Sequence, residues 1–414
     1  MPRMTFKHGP EQGAVALMVA MFFGFGVMIS VGALTIDVGN INADRRQLQN
    51  GSDAVALSAA RDCALGACPN VLLSADMNPL TSLANANAAD GATKIGRVDL
   101  QTPAGTPAGT SAICGIGPGL FACPSSAAPN SANLQECPTV NLPAKFVRAY
   151  AQTLNASGQT ILPYSFGAAI AGAGSGANQQ TCAAVGWGPL KVAAALPITF
   201  SYCEWQHQTG ANPPSTPGVY YAAPTGPPPG YGGTGQPAYP PASTERILLT
   251  AKNVTDCKTW NGHDAPGGFG GVDEGTSTIC SATIPADGWL HTDPGNDAPC
   301  KKDTPTLADL VGTVTYLPIF DCMSSSPVTI TAITDCTAGN GNNLYFHVTG
   351  FAAFYISGYH FSGDEAKSLL TGKYPCSGSA RCLSGWFVHE LIPTGELDLS
   401  GAPDLGTTVM KILG

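Results

Sequence analysis

A single uncharged apolar run near the N-terminus constrains this chain of 414 residues more than any other feature. Residues 14–36 read AVALMVAMFFGFGVMISVGALTI, 23 residues without a charged side chain. As a helix rising ~1.5 Å per residue, this run is ~34 Å long, enough to cross the hydrocarbon part of a bilayer. We therefore predict one transmembrane helix over residues 14–36, after a short tail over residues 1–13. No second run of this kind occurs, which excludes a multi-span membrane protein.

Basic residues and cysteines predict the orientation of this span. Arg3 and Lys7 precede it, which favours a cytoplasmic N-terminus. All 14 cysteines follow residue 60, none forms a Cys-x-x-Cys pair, and no histidines are grouped beside them. This pattern favours disulfides in an oxidising compartment over zinc binding, so the bulk of the chain is predicted to be extracytoplasmic. The candidates are Cys63, Cys68, Cys114, Cys123, Cys137, Cys182, Cys203, Cys257, Cys280, Cys300, Cys322, Cys336, Cys376 and Cys382. Cys63–Cys68 and Cys376–Cys382 are close enough in sequence for local loops.

A cleaved leader is the alternative to a retained anchor. Val31-Gly32-Ala33 satisfies the small-residue rule for cleavage, which would start the mature protein at Leu34. The apolar pattern nevertheless continues past this point at helical spacing. Its later members are Val38, Ile41, Leu48, Val55 and Ala59. We therefore predict one long helix that ends near Arg61, with residues 37–62 as its juxtamembrane part.

Composition narrows the class of function. The chain has 19 basic and 28 acidic side chains, a net charge of −9, so it lacks the basic excess that nucleic-acid binding requires. Hydrophobic residues make up 44% of the chain, enough for a core. Between residues 208 and 242, ten prolines and seven glycines in 35 positions indicate an extended linker or insertion.

The N-terminal 61 residues carry an ordered series of short motifs. Glu11–Ala16 (EQGAVA) precedes the apolar run, Ile36–Gly39 (IDVG) closes it, and Arg45–Asn50 (RRQLQN) and Ser52–Ala60 (SDAVALSAA) follow. This series resembles the N-terminal Tad domain of Flp pilus-assembly proteins of the TadE/TadG type. The motif positions are Gly13, Asp37, Gly39, Arg45, Leu48, Gln49 and Asp53.

The resemblance implies a single-pass membrane component of a tight-adherence (Flp pilus) system. Prepilin-like members carry a Glu at the fifth position after the site where the leader is cleaved. A cut after Gly13 would put Met18 at that position, so the TadG-like branch is favoured. Many members of that branch add a metal-dependent adhesion site with the pattern Asp-x-Ser-x-Ser, which residues 321–325 and 398–402 both miss. The implied partners are membrane lipid, through one helix, and other Tad or Flp envelope proteins.

The remaining chain is predicted to be α+β, with the N-terminal helix followed by a disulfide-rich, mainly antiparallel β region. We divide it into a Cys-bearing region over residues 63–207, the linker over 208–242, and a β region over 243–414. Residues 63–145 look irregular. Strands are predicted at 191–202, 246–251, 311–320, 327–334, 344–361 and 382–392, from their β-branched and aromatic content. Gly350 and Gly358 predict bulges within the longest of them.

No motif predicts chemistry at a defined site. His389-Glu390-Leu391-Ile392-Pro393 begins like a zinc-protease helix, but Pro replaces the second His and the context is strand-like. Two Gly-rich segments offer oxygen ligands for Ca²⁺ without EF-hand spacing, and we interpret them as solvated turns. Their polar residues are His263, Asp264, Asp273, Glu274, His291, Asp293, Asn296 and Asp297. No catalytic, cofactor or metal residue is assigned. We expect a non-enzymatic, anchored envelope protein; the alternative is a secreted or surface adhesin with a cleaved leader.

Overall fold

A computed structural model describes most of the chain. The described residues are 11–70, 74–88, 93–95, 113–116, 145–154, 161–166, 176–177, 179–211, 218–224, 240–249, 280–291, 300, 303–330, 336, 344–392, 395–397 and 402–413.

The helices are α1 (Glu11–Ala64), α2 (Ser74–Ala86) and α3 (Tyr202–Thr209). The first of them joins the apolar run and the predicted juxtamembrane part in one continuous helix of 54 residues. It ends three residues beyond the predicted end, where Gly66 adopts a left-handed conformation and its amide donates to the carbonyl of Cys63.

None of the described helices is long and apolar enough to cross a bilayer. Residues 14–36 are helical as predicted, but the transmembrane span predicted there is not supported by this finding.

The described residues also contain seventeen strands. They are β1 (Thr93–Ile95), β2 (Ile113–Ile116), β3 (Phe146–Thr153), β4 (Leu162–Pro163), β5 (Gly176–Ala177), β6 (Gln180–Pro189), β7 (Val192–Ala195), β8 (Phe200–Ser201), β9 (Arg246–Leu249), β10 (Ala282–Pro285), β11 (Gly288–His291), β12 (Val314–Ser324), β13 (Tyr345–Phe361), β14 (Asp364–Ala366), β15 (Cys382–Val388), β16 (Glu390–Ile392) and β17 (Thr407–Ile412).

These strands form two main sheets. The six-stranded sheet has the order β1-β3-β6-β17-β16, with β2 also paired to β3, and only β16 and β17 run parallel. The seven-stranded sheet has the order β8-β12-β13-β15-β9, with β11 and β14 also paired to β13, and only β8 and β12 run parallel. The predicted α+β class with a mainly antiparallel β region is thus confirmed. Two small pairs, β7–β10 and β4–β5, complete the arrangement.

The long strand β13 organises the seven-stranded sheet. Its register shifts against β12 beside Gly350 and against β15 at Gly358, so both predicted bulges are present. A Cβ on Gly350 would lie 3.0 Å from the Leu405 side chain. At Gly358 it would lie 2.8 Å from the Ser368 amide. The bulges therefore occur where neighbouring chain approaches the strand closely.

Several strand boundaries differ from the prediction. Residues 327–330 are described and are not a strand, and 331–334 lie outside the described residues. The predicted strand over 191–202 is two short strands followed by α3, because Ser201 caps the helix by accepting from the Glu204 amide. The region 63–145, predicted to be irregular, contains α2, β1 and β2.

Buried residues in the described part of the chain form several clusters, packed in layers around the two sheets. One cluster fills the space between α1, α2 and the six-stranded sheet, and includes Val55, Leu80 and Val185. A second lies where the two sheets meet and includes Phe351 and Val409. The largest cluster covers the other part of the seven-stranded sheet and α3.

Disulfides close several loops in these layers. The bonds are Cys63–Cys68, Cys280–Cys300, Cys322–Cys336 and Cys376–Cys382. The first and the last are the two predicted local bridges. Cys182 and Cys203 are also disulfide-bonded, and no cysteine in the described part of the chain is free.

Candidate functional site

The second half of α1 presents one face to the six-stranded sheet, and we call this contact the docking face. Its centre is made of small residues: Ala56, Ala59 and Ala60 are fully buried in the same cluster as Val147 and Val185 of the sheet. Because alanine projects only a methyl group, the helix backbone approaches the sheet closely. The alanine-rich motif at the end of the N-terminal series is therefore explained by helix–sheet packing.

Polar contacts extend the docking face toward the apolar half of the helix. The Asp37 carboxylate accepts hydrogen bonds from the Ser165 amide at 2.7 Å and from the Phe166 amide at 3.1 Å. Two turns further along, the Asp44 carboxylate accepts from the Thr153 hydroxyl at 2.8 Å. Asp37 is only 4% exposed, and main-chain amides satisfy its charge.

A second polar group lies one turn beyond Asp44. The Gln49 side-chain amide donates to Asp53 Oδ1 at 2.9 Å and to the Cys182 carbonyl at 3.2 Å. The Ser52 hydroxyl lies 3.3 Å from the Thr181 hydroxyl. These contacts join α1 to β6 beside a disulfide-bonded cysteine, so they fix the helix relative to the β region.

The structure brings four of the seven motif positions together on or beside the docking face: Asp37, Leu48, Gln49 and Asp53. Gly39 and Arg45 are exposed on other faces of the helix, and Gly13 lies near its beginning.

Sequence reasoning missed Asp44 and misplaced Val38. Asp44 is separated from Asp37 by seven residues and from Leu48 by four, so helical spacing places all three on one face. Val38 was predicted to lie in the same apolar stripe but is exposed, because the buried face begins at Asp37 instead. The partners Ser165 and Phe166 carry no local pattern that predicts this contact.

A second polar cluster lies in the seven-stranded sheet. His347 Nδ1 is 2.6 Å from Asp321 Oδ1, and Nε2 is 3.0 Å from Asp287 Oδ1. Both acceptors are carboxylates, so both ring nitrogens donate and the ring is an imidazolium. Burial alone would lower the pKa of His347, but the hydrogen bonds and charges of Asp321 and Asp287 outweigh it and raise that pKa above 6.5. The ring joins β12, β13 and the turn before β11, which is a structural role.

Among the described residues, the motif that begins at His389 forms no assembled site. His389 stacks on Tyr220 with ring centroids 5.3 Å apart, whereas Glu390 begins β16. The strand-like context of this motif is confirmed. Burial raises the pKa of Glu390.

In the Gly-rich segments, only His291 is described; His263, Asp264, Asp273, Glu274, Asp293, Asn296 and Asp297 lie outside the described residues. Within the described ranges, no group of three or more histidine, cysteine or acidic side chains has an arrangement suited to a metal ion.

Comparison with known proteins identifies the N-terminal part of the chain. Residues 13–62 match the Tad family of Flp pilus-assembly TadE/G-like proteins. No significant match was found among curated proteins or among solved structures. The matched segment contains the docking-face residues from Asp37 to Ala60 and ends two residues before the helix does. The chain thus carries an N-terminal Tad segment over residues 13–62, similar to that of TadE/G-like Flp pilus-assembly proteins.

Proposed function

We propose that this protein is a non-enzymatic, envelope-anchored component of Flp pilus assembly, in which the Tad helix holds a disulfide-stabilised β region outside the membrane. The Tad match over residues 13–62 implies involvement in pilus assembly. The observation that carries the proposal is that the family segment is the same segment that docks on the β region through Asp37, Gln49 and the buried alanines. The family helix and the exterior region therefore work as one unit.

The apolar half of α1 supports anchoring. Thirteen of its large apolar side chains between Val15 and Val38 are exposed. Leu17, Met18, Val19, Phe22 and Phe23 are among them, and at 100° per residue they point in every direction around the helix. A helix that is apolar all round needs to be covered by lipid or protein. We propose that lipid covers it, with the N-terminus in the cytoplasm and the disulfide-bonded region outside.

Alkaline extraction tests the anchor in native membranes. We expect the full chain to remain with the membrane pellet at high pH. A variant with Phe22→Lys and Met28→Lys should move to the soluble fraction, whereas Asn50→Lys, on an exposed part of the same helix, should stay in the pellet. Complete release of the unaltered chain would contradict anchoring.

Gene deletion tests the role in assembly. We expect a deletion strain to lose surface pili and adherence, and the full chain to restore both. A chain lacking residues 1–33 but given a cleavable leader should not restore them. If that chain restores pili fully, the secreted-adhesin alternative is favoured, and N-terminal sequencing of the mature protein would then show a start near Leu34.

A further inference from the structure

The loop over residues 161–166, which we call the clamp loop, lies where the apolar half of α1 ends. It contains β4, which pairs with β5. Its last two residues are held by α1: the amides of Ser165 and Phe166 donate to Asp37, and the Ser165 hydroxyl lies 3.4 Å from the Asn40 side-chain amide. The loop therefore has a fixed position along the helix axis.

Apolar side chains of the clamp loop are exposed. Phe166 is 49% exposed and Ile161 is 38% exposed, with Tyr164 half-buried between them. The amides of Ser165 and Phe166 both donate to Asp37, the first residue after the apolar run, so the phenylalanine lies beside the end of that run. The exposed ring therefore lies near the end of the apolar run, where Leu34 and Ile36 are also exposed.

The charges nearby fit a lipid surface. Asp37 is the first charged residue after the apolar run, and its carboxylate accepts hydrogen bonds from main-chain amides. Arg45 and Arg46 are exposed about 12 Å further along the helix, within reach of lipid phosphates. Aromatic rings are favoured between the hydrocarbon and the phosphates of a bilayer.

We propose that the clamp loop is a membrane-surface element: Asp37 holds residues 161–166 at the boundary of the bilayer, where Phe166 inserts among the lipid headgroups. This inference rests on the proposed anchoring of α1. It adds a second contact with the lipid, distant in sequence from the helix, which fixes how the β region faces the membrane.

Photo-cross-linking in native membranes tests this contact. The photoreactive residue benzoylphenylalanine is placed at Phe166, at Phe22 in the apolar half of α1, or at Tyr374. Tyr374 is 44% exposed, close to the exposure of Phe166, and lies in the loop after β14. We expect phospholipid adducts, detected by peptide mass, at positions 166 and 22 but not at 374.

The other outcomes separate the two proposals. Lipid adducts at position 22 without any at 166 would overturn the clamp-loop inference and leave the anchor intact. Absence of lipid adducts at 22 would overturn both. Protein adducts at 166, or equal lipid labelling at 166 and 374, would also overturn the clamp-loop inference.

A change at Asp37 tests the clamp itself. Asp37→Ala should abolish the lipid adduct at position 166 and leave the adduct at 22 unchanged. Asp37→Asn retains one oxygen acceptor and should give an intermediate yield of the lipid adduct at position 166. This variant tests the clamp even if the alanine variant does not fold. Unchanged labelling at 166 in both variants would contradict the role of Asp37.

Discussion

At the scale of single residues, Asp37 shows how a motif acidic residue stabilises the fold. Its carboxylate is almost fully buried, yet it accepts from two main-chain amides more than 120 positions away in the sequence. The sequence predicted that Asp37 matters, because it lies in the Tad series. It did not predict the partner, because main-chain amides leave no side-chain signature and the separation is long.

Removal of this carboxylate is expected to destabilise the protein. Asp37→Ala removes the carboxylate that accepts from the Ser165 and Phe166 amides, which should lower the free energy of unfolding by about 1–3 kcal/mol. Urea unfolding of the detergent-solubilised protein measures the change. Gly39→Ala is the matched control: a Cβ there has open space, so this variant should be neutral or up to about 1 kcal/mol more stable. Equal stability of Asp37→Ala and the parent would refute the contact.

His347 is expected to make stability depend on pH. Because its pKa is raised in the folded state, the folded protein binds the proton more tightly than the unfolded chain. The resulting stabilisation is complete below pH 6.5 and is lost as pH rises through the raised pKa. Thermal unfolding between pH 5 and pH 9 checks this. His347→Gln should make stability nearly independent of pH over this range. Asp321→Asn should move the fall in stability to lower pH. A parent profile that rises over this range would be the contrary result.

At the scale of elements, α1 and α2 differ in how well sequence predicts them. The long helix follows from an apolar run and a continuing stripe of buried positions. In contrast, α2 has Pro79 in its interior, and proline normally disfavours a helix there. Tertiary packing stabilises it instead, since Leu80 and Ala84 are buried in the cluster with α1. No property of residues 74–86 alone reveals that this helix is buried against α1.

The close approach of α1 to the sheet should be intolerant of larger residues. Ala59 is completely buried, so Ala59→Leu forces the helix away from the sheet and should cost about 1–3 kcal/mol. Denaturant unfolding measures this. Asn50→Leu adds the same kind of side chain on the exposed side of α1 and is expected to change stability by less than about 0.5 kcal/mol. Similar losses of stability for both substitutions would show that the docking face is not closely packed.

At the scale of the whole molecule, two sheets share a buried contact, and disulfides close loops around it. The strand content of the C-terminal part was predictable because β-branched and aromatic residues dominate residues 344–361 and 382–392. The order of strands was not predictable: β17 lies between β6 and β16, and this pairing depends on burial of Val409 among residues from both sheets.

The loss of stability on removing a disulfide should increase with the length of the loop that the bond closes. Replacing Cys280 and Cys300 by alanine opens a loop with a sequence separation of 20 and should cost ~3 kcal/mol. The same change at Cys376 and Cys382, with a separation of 6, should cost ~2 kcal/mol. Thermal unfolding of the two double variants gives the comparison. A larger loss for the shorter loop would contradict loop closure as the main source of stabilisation.

The continuity of α1 has a mechanical consequence. A helix of 54 residues is about 80 Å long, and its second half is fastened along the six-stranded sheet, so the molecule has no hinge there. It acts as a lever: a tilt of about 10° at the apolar end displaces the opposite end by about 14 Å. Force exerted on the β region would thus reach the apolar end of α1 as torque, and rotation of that end would swing the entire β region.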